Sequence, residues 1–329
     1  MTRSVRDGAY RRAGQHEDTR ERRRVADAAR ELRRWARGHP QIHPGRAYSA
    51  ALGMGDPIPC LDAGDLVAIT RGTLWIFAFD DLVDEGDLAH EEVRALADRY
   101  TRVALGEPAD RSAAADPLAG LLRDVCDGLA GYRLFGPVRH IWARALGDTL
   151  DAMAREHLWR QRHWEDGSLP AYRDYVDNGC RSIAGAPYIW MALIVLGEPS
   201  AVRHAGHLAG QMRQAALCIR LANDLRSYLK ELAEGNINSV TLHTADALRE
   251  GRSYPEAVEI ARQRVEREID EGLAVCERNA GDVRTDTGHP ERVIADIAHW
   301  TSGFYRRHGY LTYRPGGRAA EPDWSSRLS

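Results

Sequence analysis

Apolar residues recur at helical spacing along nearly the whole sequence, and strand-like alternation is scarce. That pattern restricts the fold before any motif is considered. The chain is expected to be all-α, a single-domain bundle of many antiparallel helices. Helical stretches are expected at 63–85, 89–105, 116–130, 135–163, 168–197, 200–234, 240–250, 254–280 and 287–308. Ahead of them, Ala26, Ala29, Leu32 and Trp35 form a crude amphipathic stripe, which Gly38 and Pro40 end. A Gly- and Pro-rich loop or short-helix region follows to about Asp62. No repeat of 20–50 residues is visible. The polar, basic stretch 1–16 is expected to be disordered and 316–329 to be a loose tail, leaving a helical domain over 17–315.

Bulk chemistry works by exclusion. A net charge of −3 gives no overall pull toward nucleic acid or a membrane surface, so neither is an expected partner. The five cysteines, Cys60, Cys126, Cys180, Cys218 and Cys276, are scattered, without the spacing of a disulfide framework or a zinc site. The longest apolar run, Tyr188 to Gly197, is about half of what a bilayer span needs. The N-terminus has charge but no apolar core of a secretory signal. A soluble, cytoplasmic protein is expected.

One helical stretch is interrupted. Gly179, Gly185 and Pro187 fall inside "YVDNGCRSIAGAPYIW", where each is costly to a helix interior. Two readings fit: a simple helix end, or a break that aims backbone groups at a ligand.

Polar residues cluster on two helices that are otherwise apolar. On a helix containing Asn223, Ser227 falls about 40° away, Glu231 about 80°, Lys230 about −20° and Arg220 about 60°. Three oxygen donors and two cations therefore face one way. Such donors suit magnesium, which takes one or two protein ligands and completes its shell with water and phosphate oxygens. The cations suit phosphate. Lys230 is the sole lysine among the 45 Lys+Arg; taken alone, it fits a solvated pair with an acid equally well. The second cluster follows the apolar run Leu74–Phe79. Asp80 and Asp84 share a helix face, and Asp81 sits about 100° round. Carboxylates this close repel each other unless cations neutralise them.

Asp80-Asp81-Leu-Val-Asp84 resembles the aspartate-rich motif of class I terpene synthases. Asn223-x-x-x-Ser227-x-x-x-Glu231 is similar to that family's second metal motif at every position, and the resemblance spans roughly residues 20–315. It implies the isoprenoid-synthase helical fold, three Mg²⁺ ions, and a prenyl diphosphate held between the motifs. Asp80 and Asp84 would hold two ions, and Asn223, Ser227 and Glu231 the third. Asp81 would hold an arginine, while Arg220 and Lys230 would bind diphosphate. Phe77 is the foremost aromatic candidate for the apolar pocket, with Trp75 and Trp190 behind it. Met212, Ala216 and Ile219 would line the same pocket, as would Ser182, Ile183 and Ala184 at the helix break.

The departures refine the expectation. Where many bacterial members carry an arginine sensor, this chain reads Asp177-Asn178-Gly179, with Asn178 the candidate on the diphosphate side. The stretch Tyr175-x-x-Asn178-Gly179-x-x-Ser182-Ile183 resembles bacterial kaurene-synthase-like enzymes, which take bicyclic labdane-type diphosphates from a separate class II diterpene cyclase. No Asp-x-Asp-Asp stretch occurs in the sequence. Tyr313 and Arg314, or Arg306 and Tyr310, would stand in for a C-terminal Arg-Tyr pair. A diterpene synthase acting on a copalyl-type diphosphate is the expected function, with a homodimer as a candidate assembly. Alternatives are a cyclase acting on linear geranylgeranyl or farnesyl diphosphate, a chain-elongating prenyltransferase, and a non-enzymatic helical binding protein.

Overall fold

Local capping chemistry decides where the helices start and stop. The computed structural model describes residues 22–108, 115–310 and 313. The expectations for 1–16, for 316–329 and for Arg314 lie outside those residues. In chain order the helices are α1 (22–36), α2 (Ala47–Gly55), α3 (Ala63–Glu85), α4 (His90–Leu105), α5 (Pro117–Ala130), α6 (Phe135–Asp166), α7 (Tyr172–Ser182), α8 (Gly185–Leu196), α9 (Ser200–Arg203), α10 (Ala205–Glu234), α11 (Ser239–Arg249), α12 (Tyr254–Gly281) and α13 (His289–Tyr305). No strand occurs among the described residues.

Asp62 starts α3 with a reciprocal cap. Its Oδ1 accepts from the Asp65 amide at 2.9 Å, and Asp65 Oδ2 accepts from the Asp62 amide at 3.0 Å. Asp116 accepts from the first two amides of α5 beyond Pro117, whose missing N–H costs nothing there. Asn238 caps α11 through the Val240 amide at 2.8 Å. Gly167 ends α6 and Gly235 ends α10, both at positive φ, where a Cβ would be strained. The stretch expected as one helix over 168–197 is two helices. Between them Ala184 adopts φ 59°, ψ 20°, the only non-glycine residue at positive φ among those described.

The interrupting glycines have a packing reason as well. A Cβ on Gly179 would lie 3.0 Å from Arg220 Cγ, and one on Gly185 would lie 3.0 Å from Ala216 Cβ. Both sites let α7 and α8 press closely against α10. Helix α8 carries no charged residue and is mostly buried, as a helix that is apolar all round must be. The stretch Tyr172–Leu196 is apolar enough to cross a membrane by length and composition, yet its apolar 18-residue window is 72% buried inside this fold, and the stretch is broken at Ala184.

Helix α8 contacts both α3 and α10, so the two motif helices flank it. Helix α10 also packs on α7, α11, α12 and α13, while α3 packs on α2, α5 and α6. One contiguous apolar cluster runs through the bundle from Val25 to Tyr305, giving a single domain. Trp75 belongs to that core. Its Nε1 donates to the Leu118 carbonyl at 2.7 Å, and its ring meets Tyr100 edge-on at 5.3 Å. It faces α5 and α4, which corrects its expected place in the substrate pocket.

Candidate functional site

Both polar stripes open onto one cavity of about 1040 Å³. Pockets for drug-sized ligands run to roughly 1,000 Å³, so this one is large. Helix α3 supplies Phe77, Asp80 and Asp84 to its wall, and α10 supplies Arg220, Asn223, Ser227, Lys230 and Glu231. Helix α6 adds Met153, Glu156, His157 and Arg160; the α7–α8 break adds Ser182, Ile183 and Ala184. Tyr305, Gly309 and Tyr310 close it from the C-terminal side.

The three aspartates of α3 have different surroundings. Burial pushes the Asp80 carboxyl up to about 8; Asp84, Asp81 and Glu156 add to that rise, and Arg46 opposes it. Asp81 is held in a two-pronged ion pair by Arg46, at 2.6 and 2.8 Å. The same guanidinium lies 4.9 Å over the Phe77 ring, fixing that ring beside the acids. Asp84 is half exposed, and its Oδ1 accepts from Arg160 Nη1 at 2.6 Å.

Helix α10 sorts its polar residues in a similar way. The Asn223 side chain reaches the cavity with no hydrogen-bond partner among the described residues. Ser227 Oγ donates to the Asn223 carbonyl at 2.8 Å. Glu231 Oε2 accepts from Asn238 Nδ2 at 2.6 Å, and the same Nδ2 reaches the Asp224 carbonyl at 2.9 Å. Burial and then Asp224 push Glu231 up to about 7, against Arg220, Asn238 and Ser227. Lys230 stands at the rim, 76% exposed and 3.7 Å from Glu234.

Arg220 is built into the wall. Its guanidinium lies 2.9 Å from Asp224, 3.1 Å from Glu156 and 3.2 Å from Ser182 Oγ, and it donates to the Tyr175 hydroxyl. Burial alone would pull it down, but Asp224, Glu156 and Tyr175 more than compensate and hold it charged. Glu156 also accepts from Ser182 Oγ at 2.7 Å, which ties α6 to the helix break. Thr149 Oγ1 donates to the Arg181 carbonyl at 3.0 Å, a second tie. Pro187 has no N–H, so the Ile183 carbonyl lacks the donor that the next helical turn would normally offer it.

Several expected residues lie elsewhere. Asn178 is buried against α6, its Nδ2 donating to the Ala152 carbonyl at 2.9 Å, and it does not line the cavity. Met212, Ala216 and Ile219 share the Asn223 face, but α7 and α8 cover that face above Arg220, and all three are core residues. Trp190 is buried within α8 and lines no part of the cavity. Tyr313 stacks on Tyr48 at 6.0 Å, outside the lining. Tyr310 does line the cavity, 5.3 Å from Phe77, with its carbonyl held by Ser49 Oγ at 2.6 Å. Arg306 turns away to Asp270.

Sequence reasoning missed Arg46, Glu156, Arg160 and Asn238. Glu156 and Arg160 sit four residues apart on α6, a spacing that also describes any surface ion pair. Asn238 carried a visible signal, as an Asn directly before a helix.

The arrangement can bind divalent cations. Its donors are all oxygens, two of its carboxyls are buried with raised affinity for protons, and the Asn223 side chain lacks a partner among the described residues. No group of three or more acidic, histidine or cysteine side chains converges on one point among the described residues. That fits a hard cation that keeps water and ligand oxygens in its shell rather than one caged by protein.

Known proteins resemble this chain in sequence and in fold. The family model "Terpene synthase family 2, C-terminal metal binding" matches residues 73–271, the segment that contains both stripes. A (12E)-labda-8(17),12,14-triene synthase from Streptomyces cyslabdanicus is 28% identical over 309 residues, 89% of each chain. Ent-kaurene synthase-like 1 of Ricinus communis is 30% identical over 115 residues, 34% of this chain and 14% of its own. The crystal structure of 2-methylisoborneol synthase from Streptomyces coelicolor A3(2), in complex with Mg²⁺ and geranyl-S-thiolodiphosphate, shares the fold. Its TM-score is 0.72 at 18% identity, covering 92% of this chain and 94% of that one.

Proposed function

The chain belongs to the class I terpene synthases, diphosphate-releasing lyases, and on that premise we propose that it is a diterpene synthase acting on a bicyclic labdane-type diphosphate, such as a copalyl-type diphosphate. The observation that carries this reading is the meeting of the α3 and α10 stripes on one cavity, whose other walls are α6, the α7–α8 break and the C-terminal tyrosines. The relative from Streptomyces cyslabdanicus, named for a labdatriene product, supports the substrate class. A cavity of about 1040 Å³ has room for a twenty-carbon skeleton and its diphosphate.

Asp80 and Asp84 would hold Mg²⁺ from one side, and Asn223, Ser227 and Glu231 from the other, with three ions in all. When bound, magnesium would neutralise the diphosphate so that it can leave with the electron pair of the breaking C–O bond. The protein's own residues do the rest. Arg46 keeps Asp81 and Phe77 in place, and Asn238 keeps Glu231 turned inward. Arg220 and Lys230 add positive charge on the side where the leaving group would sit. Phe77, Tyr305 and Tyr310 line the cavity, where aromatic rings would stabilise the allylic cation and help keep water from it. The cation then loses a proton to give a hydrocarbon, or takes up water to give an alcohol. A bicyclic substrate implies a separate class II cyclase as its supplier.

The test is a substrate panel. Purified protein with Mg²⁺ is given farnesyl, geranylgeranyl and copalyl-type diphosphates, and products are read by gas chromatography. Turnover of the copalyl-type compound is expected. Turnover of farnesyl diphosphate alone would overturn the substrate assignment, and lengthened diphosphates made with added isopentenyl diphosphate would indicate a prenyltransferase.

A further inference from the structure

Four of the basic groups on the cavity wall differ in what already neutralises them. Arg46 spends both terminal nitrogens on Asp81. Arg220 is surrounded by Asp224, Glu156, Ser182 and Tyr175. Lys230 is largely in solvent beside Glu234. Arg160 is the exception. Its side chain is only 11% exposed, and its acidic partner is Asp84, one of the carboxylates placed here as a metal ligand.

The rest of the Arg160 environment holds the group in position without neutralising it. Nη2 donates to the Val83 carbonyl at 2.9 Å and to His157 Nδ1 at 2.9 Å, while His157 Nε2 is satisfied by the Leu88 carbonyl at 2.9 Å. The guanidinium lies 5.7 Å from the Trp164 ring centre. Its Nε is buried and finds no acceptor among the described residues. Trp164 in turn donates to the Gly235 carbonyl at 3.2 Å, at the end of the helix that carries Asn223, Ser227 and Glu231. Arg160 is thus fixed between the ends of the two motif helices.

We infer that Arg160 is a diphosphate-binding residue, paired with Asp84 until metal and substrate arrive and with the leaving group afterwards. The reasoning is one of charge. A cation bound by Asp84 competes for the same oxygens, and a buried guanidinium that loses its carboxylate needs another anion. Diphosphate is the anion the proposed reaction brings, and a planar fork of N–H donors suits its oxygens. This inference rests on the proposed function, because it assumes that Asp84 binds metal.

The experiment is calorimetric titration of inorganic pyrophosphate into the full chain with excess Mg²⁺. Arg160→Gln is expected to weaken binding at least tenfold, the usual scale for losing hydrogen bonds from a charged donor. Arg160→Lys keeps the charge but not the fork, should fall between, and serves as the readout if the glutamine variant does not fold. The same Arg160→Gln change in an Asp84→Asn background separates the roles. A residue that only clamps Asp84 has no further effect there, whereas a diphosphate contact still weakens binding about fivefold or more. If Arg160→Gln leaves affinity within twofold in the Asp84→Asn background, the inference is overturned. A parent that binds no pyrophosphate with Mg²⁺ instead sinks the proposed function itself.

Discussion

Asn223 and Asp224 are neighbours in sequence and should fail in opposite ways. Asp224 is fully buried and serves three partners: the Tyr175 hydroxyl at 2.9 Å, the Ser239 amide at 3.1 Å and the Arg220 guanidinium at 2.9 Å. Removing one member of a buried ion pair costs about 3–5 kcal/mol. Glu156 remains beside Arg220, so Asp224→Ala belongs near the lower end, about 3 kcal/mol. Unfolding entropy of about 2.1 cal/mol/K per residue gives about 0.7 kcal/mol/K for 329 residues. The melting temperature should therefore drop by about 4 °C. Asn223→Ala removes a cavity-facing side chain without a partner and should cost under about 1 kcal/mol, a shift below about 1.5 °C. Its pyrophosphate release with a prenyl substrate should nonetheless fall by at least about a hundredfold. Thermal melts followed by far-UV circular dichroism, together with a pyrophosphate-release assay, decide the matter. If Asp224→Ala melts within about 1 °C of the parent, or Asn223→Ala is as destabilised as Asp224→Ala, the division of labour drawn here is wrong.

Further outcomes follow from the same geometry. Asn238→Ala removes the cap of α11 and the donor that orients Glu231, so it should cost about 1 kcal/mol and raise the Mg²⁺ needed for half-maximal activity about tenfold or more; a metal titration reads the second effect. Chelator should abolish pyrophosphate release reversibly while the dichroism spectrum stays unchanged, because the apolar core forms without an ion. Trp75→Ala should destabilise by about 3–5 kcal/mol without altering the product pattern, whereas Phe77→Leu should alter products with little loss of stability. Gas chromatography and melting curves on the pair would reveal a reversal.

The bundle was legible because each helix carries its own signals. Asp62, Asp116 and Ser253 mark starts, Gly167 and Gly235 mark ends, and the apolar spacing between them holds. Both motifs could be read for the same reason, since each is periodic on one helix. The wheel even separates the two aromatic candidates on α3: Phe77 lies about 60° from Asp80 and Trp75 about 140°. What stayed hidden was supplied by other helices. Arg46 meets Asp81 from 35 residues away and Arg160 meets Asp84 from 76, and nothing local to either arginine announces its partner. The same limit explains Met212, Ala216 and Ile219. They share a face with Asn223, but only the close approach at Gly179 and Gly185 shows that other helices already cover it.

Ile183 sits on the hollow's wall at the point where the helix breaks. Pro187 leaves the oxygen of Ile183 without its ordinary mate, and Thr149 and Glu156 brace the residues just before the kink. Exchanging the isoleucine for another side chain would reshape its hydrocarbon branch without giving that oxygen a donor. Variation among descendants of this chain can therefore remodel contour at 183, while the oxygen's missing mate returns only when proline itself is replaced.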